Sequence, residues 1–157
     1  MLNELTKFLI DKKLIISTAE SCTGGLISSM LTDISGSSTF VKANFVTYSE
    51  EAKHEILGVP NSIFKDFGVV SEECAKAMAD GLIKKTGCDI AICTTGIAGP
   101  TGGSDDKPVG LCYISCSYQG VIHIKKLLLD SNIERKEMKK LFAENAIKFA
   151  YEILSCD

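Results

Sequence analysis

The sequence predicts an α/β protein that forms a three-layer α/β/α sandwich with a mixed sheet. Helical and strand-like patterns alternate from the N-terminus, which favours parallel strands covered by helices on both faces. Two strand-like runs then meet at Tyr118-Gln-Gly120, which is typical of an antiparallel hairpin. Because the chain has 157 residues and shows no linker or repeat, residues 1–157 are expected to form a single domain.

The elements of the first part of the chain are predicted from local patterns. Apolar side chains three or four residues apart indicate helices, and short apolar runs indicate buried strands. Ser49, followed by Glu50 and Glu51, has the composition of a helix start. In chain order, the predicted elements are a helix that ends near Lys13, a strand at 14–18, a helix at 23–33, a turn at 35–38, a strand at 44–48 and a helix at 49–57.

In the second part of the chain, the stretch 61–66 has only a weak helical pattern. The remaining predicted elements are a helix at 71–87, a strand at 89–93, a glycine-rich loop at 96–108, strands at 109–117 and 121–129, and a helix at 134–154. Functional sites in such folds gather at the carboxyl ends of the strands. The loops at 18–25, 47–53 and 94–108 are therefore the predicted site.

Composition indicates an ordinary globular protein, with 45% hydrophobic and 24% charged residues. The net charge of -3 argues against nucleic acid as a main partner. No apolar run reaches the roughly 20 residues that a membrane-spanning helix needs. The first residues lack a signal-peptide pattern, so a cytoplasmic location without membrane partners is expected.

The cysteines predict neither a disulfide framework nor a metal site. The chain has seven cysteines, no Cys-x-x-Cys pair and two histidines, His54 and His123. Four cysteines lie in strand-like apolar runs, where a free thiol behaves as a small hydrophobic group. These predicted core thiols are Cys88, Cys93, Cys112 and Cys116.

The segment 18–25 combines several candidate functional groups where a strand passes into a helix. Free N–H groups at a helix start can hold an anion, and those at residues 23–26 are expected to stabilise an oxyanion. Ser21 is either a nucleophile or a helix cap. Cys22, activated at the helix start with His54 as its partner, is the alternative nucleophile. Glu20 is expected to orient a substrate or Lys53, or to face solvent.

A serine nucleophile requires a base, and Lys53 and His54 are the candidates in the neighbouring loop. A lysine has an ordinary pKa of about 10.4, and burial or a cationic neighbour lowers it. Tyr48 stands at the end of the preceding strand and is a candidate proton relay. The alternative is that Lys53 is an ordinary solvated helix residue.

The glycine-rich segment Thr95-Gly-Ile-Ala-Gly-Pro-Thr-Gly-Gly-Ser104 is the third candidate. Glycines permit backbone N–H groups to line a concave surface. The segment matches neither the dinucleotide-binding nor the phosphate-loop pattern, so a nucleoside triphosphate is not indicated. A flexible connection is the alternative, although long loops without secondary structure are uncommon in compact domains.

Several blocks along the chain match a known family in order. These blocks are Thr18-Ala-Glu-Ser-Cys-Thr-Gly-Gly-Leu26, Gly36-Ser-Ser38, Val46-Thr-Tyr-Ser49 with Lys53, Leu57-Gly-Val59, Gly68-Val-Val-Ser71, and Gly96-Ile-Ala-Gly-Pro-x-Gly-Gly103 with Lys107-Pro-Val-Gly110. Together they resemble the CinA C-terminal domain family, whose members include nicotinamide-nucleotide amidases. Those enzymes hydrolyse the carboxamide of nicotinamide mononucleotide to nicotinate mononucleotide and ammonia.

The resemblance implies a serine–lysine mechanism, with Ser21 as nucleophile, Lys53 as general base and Tyr48 assisting proton transfer. It implies no metal and no organic cofactor. The residues that it implies for substrate contacts are Glu20, Thr23, Gly24, Thr95, Gly96, Gly99, Gly102, Gly103, Lys107 and Arg135. A second arginine that the family commonly carries after Arg135 is replaced by Lys139, which keeps the charge but not the bidentate geometry.

The expected partner is therefore a small nucleotide substrate. An alternative function is a nucleotide-binding or competence- and damage-related interaction module without turnover. Strand edges and an apolar last helix favour a homodimer or a larger homo-oligomer.

Overall fold

Five strands form one mixed sheet in the computed structural model, which describes residues 1–156. The strands are Ile16–Glu20 (β1), Val41–Val46 (β2), Ile90–Gly96 (β3), Leu111–Tyr118 (β4) and Val121–Leu128 (β5). The helices are Leu2–Lys12 (α1), Leu26–Thr32 (α2), Glu50–Leu57 (α3), Asn61–Asp66 (α4), Glu72–Thr86 (α5) and Arg135–Leu154 (α6), with a short 3-10 helix at Ser37–Thr39.

The sheet has the order β2-β1-β3-β4-β5. β1 pairs in parallel with β2 and with β3, whereas β4 pairs antiparallel with both β3 and β5. The predicted mixed sheet and hairpin are therefore confirmed. Because β1, β2 and β3 run in the same direction, their carboxyl ends lie at one edge of the sheet, which brings the three predicted site loops together.

Helices cover both faces of the sheet, as the α/β/α prediction requires. One core joins Ile16, Ile90 and Ile92 to buried side chains of α1, α2 and α6, including Leu9 and Phe142. The opposite core joins alternate strand residues, including Ala19, Ala91 and Cys93, to α3 and α5. Strand residues alternate between the faces, so each strand contributes to both cores.

β1 and α2 both lie further along the chain than the sequence pattern predicts. β1 covers 16–20 rather than 14–18, and it reaches Glu20 because this residue pairs with Val46 on one side and with Thr94 on the other. α2 begins at Leu26 rather than 23, because Gly24 and Gly25 adopt positive φ angles of 62° and 97° and form a turn. Ser21 therefore lies in a tight turn between strand and helix.

β2 and β3 also differ from their predicted bounds. β2 covers 41–46 rather than 44–48, because Thr47 and Tyr48 leave the sheet and direct their carbonyl groups to Lys53. β3 extends to Gly96, which pairs with Cys112 at a distance that excludes a side chain. The stretch 61–66, whose helical pattern is weak, forms α4, the second of the three helices between β2 and β3.

Candidate active site

Ser21 and Lys53 are in contact at the carboxyl edge of the sheet. Lys53 projects from α3 and is completely buried, while Ser21 is 8% exposed. Lys53 Nζ lies 3.0 Å from Ser21 Oγ, 2.8 Å from the Thr47 carbonyl oxygen and 3.1 Å from the Tyr48 carbonyl oxygen. The interpretation of Lys53 as a solvated helix residue is therefore wrong.

The surroundings of Lys53 Nζ suit a neutral amine. A neutral amine has two N–H groups and one lone pair, and the site offers two carbonyl acceptors and one hydroxyl that can donate. Burial lowers the pKa of Lys53 from its ordinary value of 10.5, and weaker charge interactions with Cys74, Cys22 and Glu50 oppose that shift. Within residues 1–156, Lys53 forms no ion pair that would hold its proton.

Most of the backbone amides between Ser21 and the start of α2 already have hydrogen-bond acceptors within the protein. The amide of Gly24 donates to the Ser21 carbonyl, that of Gly25 to Glu20 and that of Leu26 to the Thr23 carbonyl. The expectation that the amides of residues 23–26 stabilise an oxyanion is therefore wrong for 24–26. Among the described residues of this turn, Cys22 and Thr23 keep unbonded amide N–H groups.

Glu20 has none of the three positions that the sequence suggested. Its side chain is completely buried and does not line the cavity, so it faces neither solvent nor substrate. No described hydrogen bond joins it to Lys53. Its carboxylate accepts hydrogen bonds from amides at the start of α2 and from the hydroxyl of Thr23. Thr23 is also completely buried and lies 2.9 Å from the hydroxyl of Thr94, so its side chain is structural rather than substrate-binding.

The Tyr48 hydroxyl contacts Arg135, and no described hydrogen bond joins it to Ser21 or Lys53. Arg135 Nη2 lies 3.1 Å from this hydroxyl, and the side chain of Tyr48 is 60% exposed. Tyr48 contacts Lys53 through its backbone carbonyl, and the role of its hydroxyl as a proton relay stays a prediction. Arg135 also donates from Nη1 to the Gly99 carbonyl at 2.6 Å, which anchors the glycine-rich loop to α6.

A cavity of about 520 Å³ opens beside the Ser21 turn, within the usual size range of ligand pockets. Its lining residues are Cys22, Tyr48, Glu50, Gly68, Val69, Val70, Gly96, Ile97, Ala98, Gly99, Thr101, Gly102, Ser104, Lys107 and Arg135. Lys107 and Arg135 bring positive charge to the wall, and within residues 1–156 neither forms an ion pair. The cavity therefore suits a ligand with an anionic group.

Of the predicted loop contacts, Gly96, Gly99 and Gly102 line this cavity, whereas Gly103 and Thr95 do not. Gly103 packs against the backbone of Val109, and the Thr95 hydroxyl donates to the Val69 carbonyl at 2.7 Å. Gly24 is exposed next to α6, where a Cβ atom would lie 3.2 Å from Lys139 Nζ. Lys139 is four residues after Arg135 on α6, but its amine lies next to Gly24 and does not line the cavity.

The alternative nucleophile Cys22 lacks the partner that the sequence suggested. His54 directs its Nδ1 to the Val59 carbonyl at 2.8 Å, at the end of α3. Cys22 Sγ lies 3.8 Å from Cys112 Sγ, and both thiols are buried. The predicted core positions of Cys88, Cys93, Cys112 and Cys116 are confirmed by their burial.

Some site residues were not predicted from the sequence. The segment 68–70 lines the cavity, and Thr94 accepts a hydrogen bond from the Ser21 amide. Thr94 carried a signal, since it stands at the end of a buried strand directly before the glycine-rich loop.

Among residues 1–156, no cluster of three or more His, Cys, Asp or Glu side chains is placed to hold a metal ion. No helix in the same part of the chain is long and apolar enough to cross a membrane.

The fold and site define a three-layer α/β/α protein with a buried serine–lysine pair beside a cationic cavity. The chain belongs to the CinA C-terminal domain family, whose model matches residues 1–154. It is 46% identical over 135 residues to a CinA-like protein of Chlorobium chlorochromatii, an alignment that covers 85% of this chain and 32% of the relative. The chain spans about a third of the length of the curated relatives that it matches.

Two solved structures have the same fold across nearly the whole chain. The competence/damage inducible protein CihA of Agrobacterium tumefaciens has a TM-score of 0.90 and 38% identity, covering 98% of this chain and 95% of that one. The competence damage-inducible protein A of Klebsiella pneumoniae has a TM-score of 0.93 and 30% identity, covering 98% and 94%. These similarities confirm the predicted fold and family.

Proposed function

We propose that this domain is an amidase that hydrolyses the carboxamide of nicotinamide mononucleotide by a serine–lysine mechanism. The observation that carries the proposal is the completely buried Lys53 amine at 3.0 Å from Ser21 Oγ, without an ion-pair partner among the described residues. A helix-capping serine would not need such a neighbour, whereas a serine nucleophile needs a neutral base within hydrogen-bond distance.

In the first half of the reaction, Ser21 Oγ attacks the carboxamide carbon, and the proton of the Ser21 hydroxyl passes to Lys53 Nζ. The resulting oxyanion accepts a hydrogen bond from the free amide of Cys22, which lines the cavity. Protonated Lys53 then gives the proton to the amide nitrogen, the C–N bond breaks and ammonia leaves. Ser21 now carries the nicotinate acyl group as an ester.

In the second half, a water molecule attacks the ester carbon and loses a proton to Lys53. The ester bond breaks, Ser21 Oγ regains a proton from Lys53, and the product leaves as a carboxylic acid that loses its remaining proton to solvent. Lys53 therefore begins and ends the cycle as a neutral amine. The two carbonyl groups that accept its N–H bonds keep its lone pair directed to Ser21 in both halves.

The cavity has the charges that this substrate requires. Lys107 and Arg135 suit the phosphate, which favours cationic donors, and Glu50 lines the same cavity and complements the cationic pyridinium ring. The family resemblance supports nicotinamide mononucleotide as the substrate within this class.

The direct test measures ammonia and nicotinate mononucleotide formed by the purified protein from nicotinamide mononucleotide. We expect turnover that survives chelation, because the proposed steps use only protein groups. A thermal shift caused by the nucleotide with no product formed would contradict the amidase and support the alternative nucleotide-binding module.

A variant of Arg135 tests how the phosphate is recognised. We expect Arg135→Ala to raise KM for nicotinamide mononucleotide by roughly 10-fold, because hydrogen bonds to charged groups contribute about 1.5–3 kcal/mol. Nicotinamide riboside, which lacks the phosphate, serves as the comparison substrate in the same kinetic measurement. Lys136→Ala, at the next and exposed position, is the matched control with unchanged KM.

An equal loss for the mononucleotide and the riboside would contradict a phosphate contact. That outcome would mean that Arg135 acts by anchoring Gly99 and Tyr48 rather than by binding substrate.

A further inference from the structure

The carboxylate of Glu20 is buried directly before Ser21 and is surrounded by donors. Its Oε2 accepts from the Thr23 hydroxyl at 2.6 Å and from the amides of Gly25 and Ile27 at 3.0 and 3.1 Å. Its Oε1 accepts from the amide of Ser28 at 2.7 Å. Such an arrangement suits an ionised carboxylate, because every neighbouring polar group donates to it.

These hydrogen bonds close a ring around the Ser21 turn. Glu20 leads into the turn, and its partners at residues 23–28 lead out of it into α2. Thr94 on β3 closes the other side, because its carbonyl accepts from the Ser21 amide and its hydroxyl contacts that of Thr23. The position of Ser21 relative to α3 thus depends on a side chain that lies beneath the turn.

The same carboxylate also occupies the start of α2. Helix N-termini favour an anion, and here that anion is Glu20. Neither an oxyanion nor a substrate phosphate can use the amides of Gly25, Ile27 and Ser28, because Glu20 already accepts from them. Of the amides without a described hydrogen bond in this turn, that of Cys22 belongs to a residue that lines the cavity.

We propose that Glu20 is a positioning residue for the reaction. It acts through Ser21, whose hydroxyl it keeps within reach of Lys53, and through the amide of Cys22. It does not line the cavity and has no exposed surface, so it does not bind substrate. This inference rests on the proposed function, because Glu20 can position a nucleophile only if Ser21 is the nucleophile.

The test replaces Glu20 with glutamine, which keeps the shape of the side chain but places an NH₂ group against amide donors. We expect kcat to fall by about 10- to 100-fold with KM changed less than about twofold, since small misplacements of reacting groups cost that much. Glu20→Asp keeps the charge and should recover part of kcat. A merely structural role would lower the melting temperature or the folded fraction, and kcat calculated per folded molecule would stay at the native value.

A matched control is Asp89→Asn. The Asp89 carboxylate accepts from the Ile15 amide at 2.8 Å, next to the opposite end of β1, so it tests the loss of a carboxylate–backbone contact far from Ser21. We expect this variant to keep its kcat. Melting temperatures of all three variants report whether they fold.

Labelling of Ser21 by a fluorophosphonate separates this proposal from the choice of substrate. The probe forms an O–P bond to the serine and releases fluoride, so its rate reports the reactivity of Ser21 alone. We expect labelling of Glu20→Gln to be at least about 10-fold slower than that of the native protein. Equal rates in folded protein would overturn the positioning role, while a native protein that is not labelled at Ser21 would overturn the nucleophile itself.

Discussion

Replacing Ser21 with alanine is expected to reduce ammonia release by about 10⁴-fold or more, because removal of a covalent nucleophile leaves only binding and oxyanion stabilisation. The fold should survive, since the Ser21 side chain contributes one hydrogen bond and its backbone contacts to Thr94 and Gly24 remain. Binding of nicotinamide mononucleotide should also remain, because the cationic side chains of the cavity are unchanged. Steady-state kinetics and equilibrium binding measure the two properties separately.

Two further variants make the result specific. Ser17→Ala removes a completely buried serine of β1 that does not hydrogen-bond to Lys53, and this variant should keep its activity. Cys22→Ala tests the rival nucleophile and should also remain active, because it keeps the backbone amide and removes only the thiol. Full activity in Ser21→Ala, or its loss in Cys22→Ala together with normal folding, would contradict the serine mechanism.

The fold was predictable because its signals are local. Neighbouring residues in the sequence are enough to indicate the helix caps at Ser49 and Ser71 and the hairpin turn at 119–120. The meeting of Ser21 and Lys53 followed from topology, since the carboxyl ends of parallel strands share one edge of the sheet. The resemblance to the family, and not the spacing, favoured Ser21 over Cys22.

The orientations of individual polar side chains were not predictable in the same way. Glu20 and Tyr48 flank the site in sequence, but the carboxylate turns inward to the start of α2 and the hydroxyl turns outward to Arg135. Arg135 lies 87 residues from Tyr48 in the chain, so no local pattern reports their contact. Charge and hydrogen-bond partners decided both orientations, and those partners are assembled only by the tertiary structure.

The proposed base predicts how activity depends on pH. Lys53 must be neutral to accept a proton from Ser21, so kcat/KM should increase with pH and reach a plateau once Lys53 has lost its proton. Burial lowers the pKa of Lys53, and the midpoint of this increase should therefore lie below the ordinary value of 10.5. Loss of activity as pH rises through this range would contradict the role of Lys53 as base.

Replacing Lys53 with methionine keeps the apolar stem of the side chain but removes the amine. We expect kcat to fall by about 10²- to 10⁴-fold, the usual contribution of a general base. Added bases would not restore it, because the Lys53 side chain is completely buried. Lys65→Met, which removes an exposed lysine of α4, is the matched control and should keep both its activity and its pH profile.

The same variant tests the protonation state through stability rather than activity. In the unfolded chain Lys53 holds its proton up to about its ordinary pKa of 10.5, whereas the folded protein releases it at lower pH. Between those two pKa values the unfolded state binds more protons, so the free energy of unfolding of the native protein should increase with pH, by at most about 1.4 kcal/mol per pH unit. Lys53→Met lacks this contribution, so its stability, measured by urea denaturation, should rise less over the same range. Equal slopes for the two proteins would mean that folded Lys53 keeps its proton, and a protonated Lys53 cannot be the base that activates Ser21.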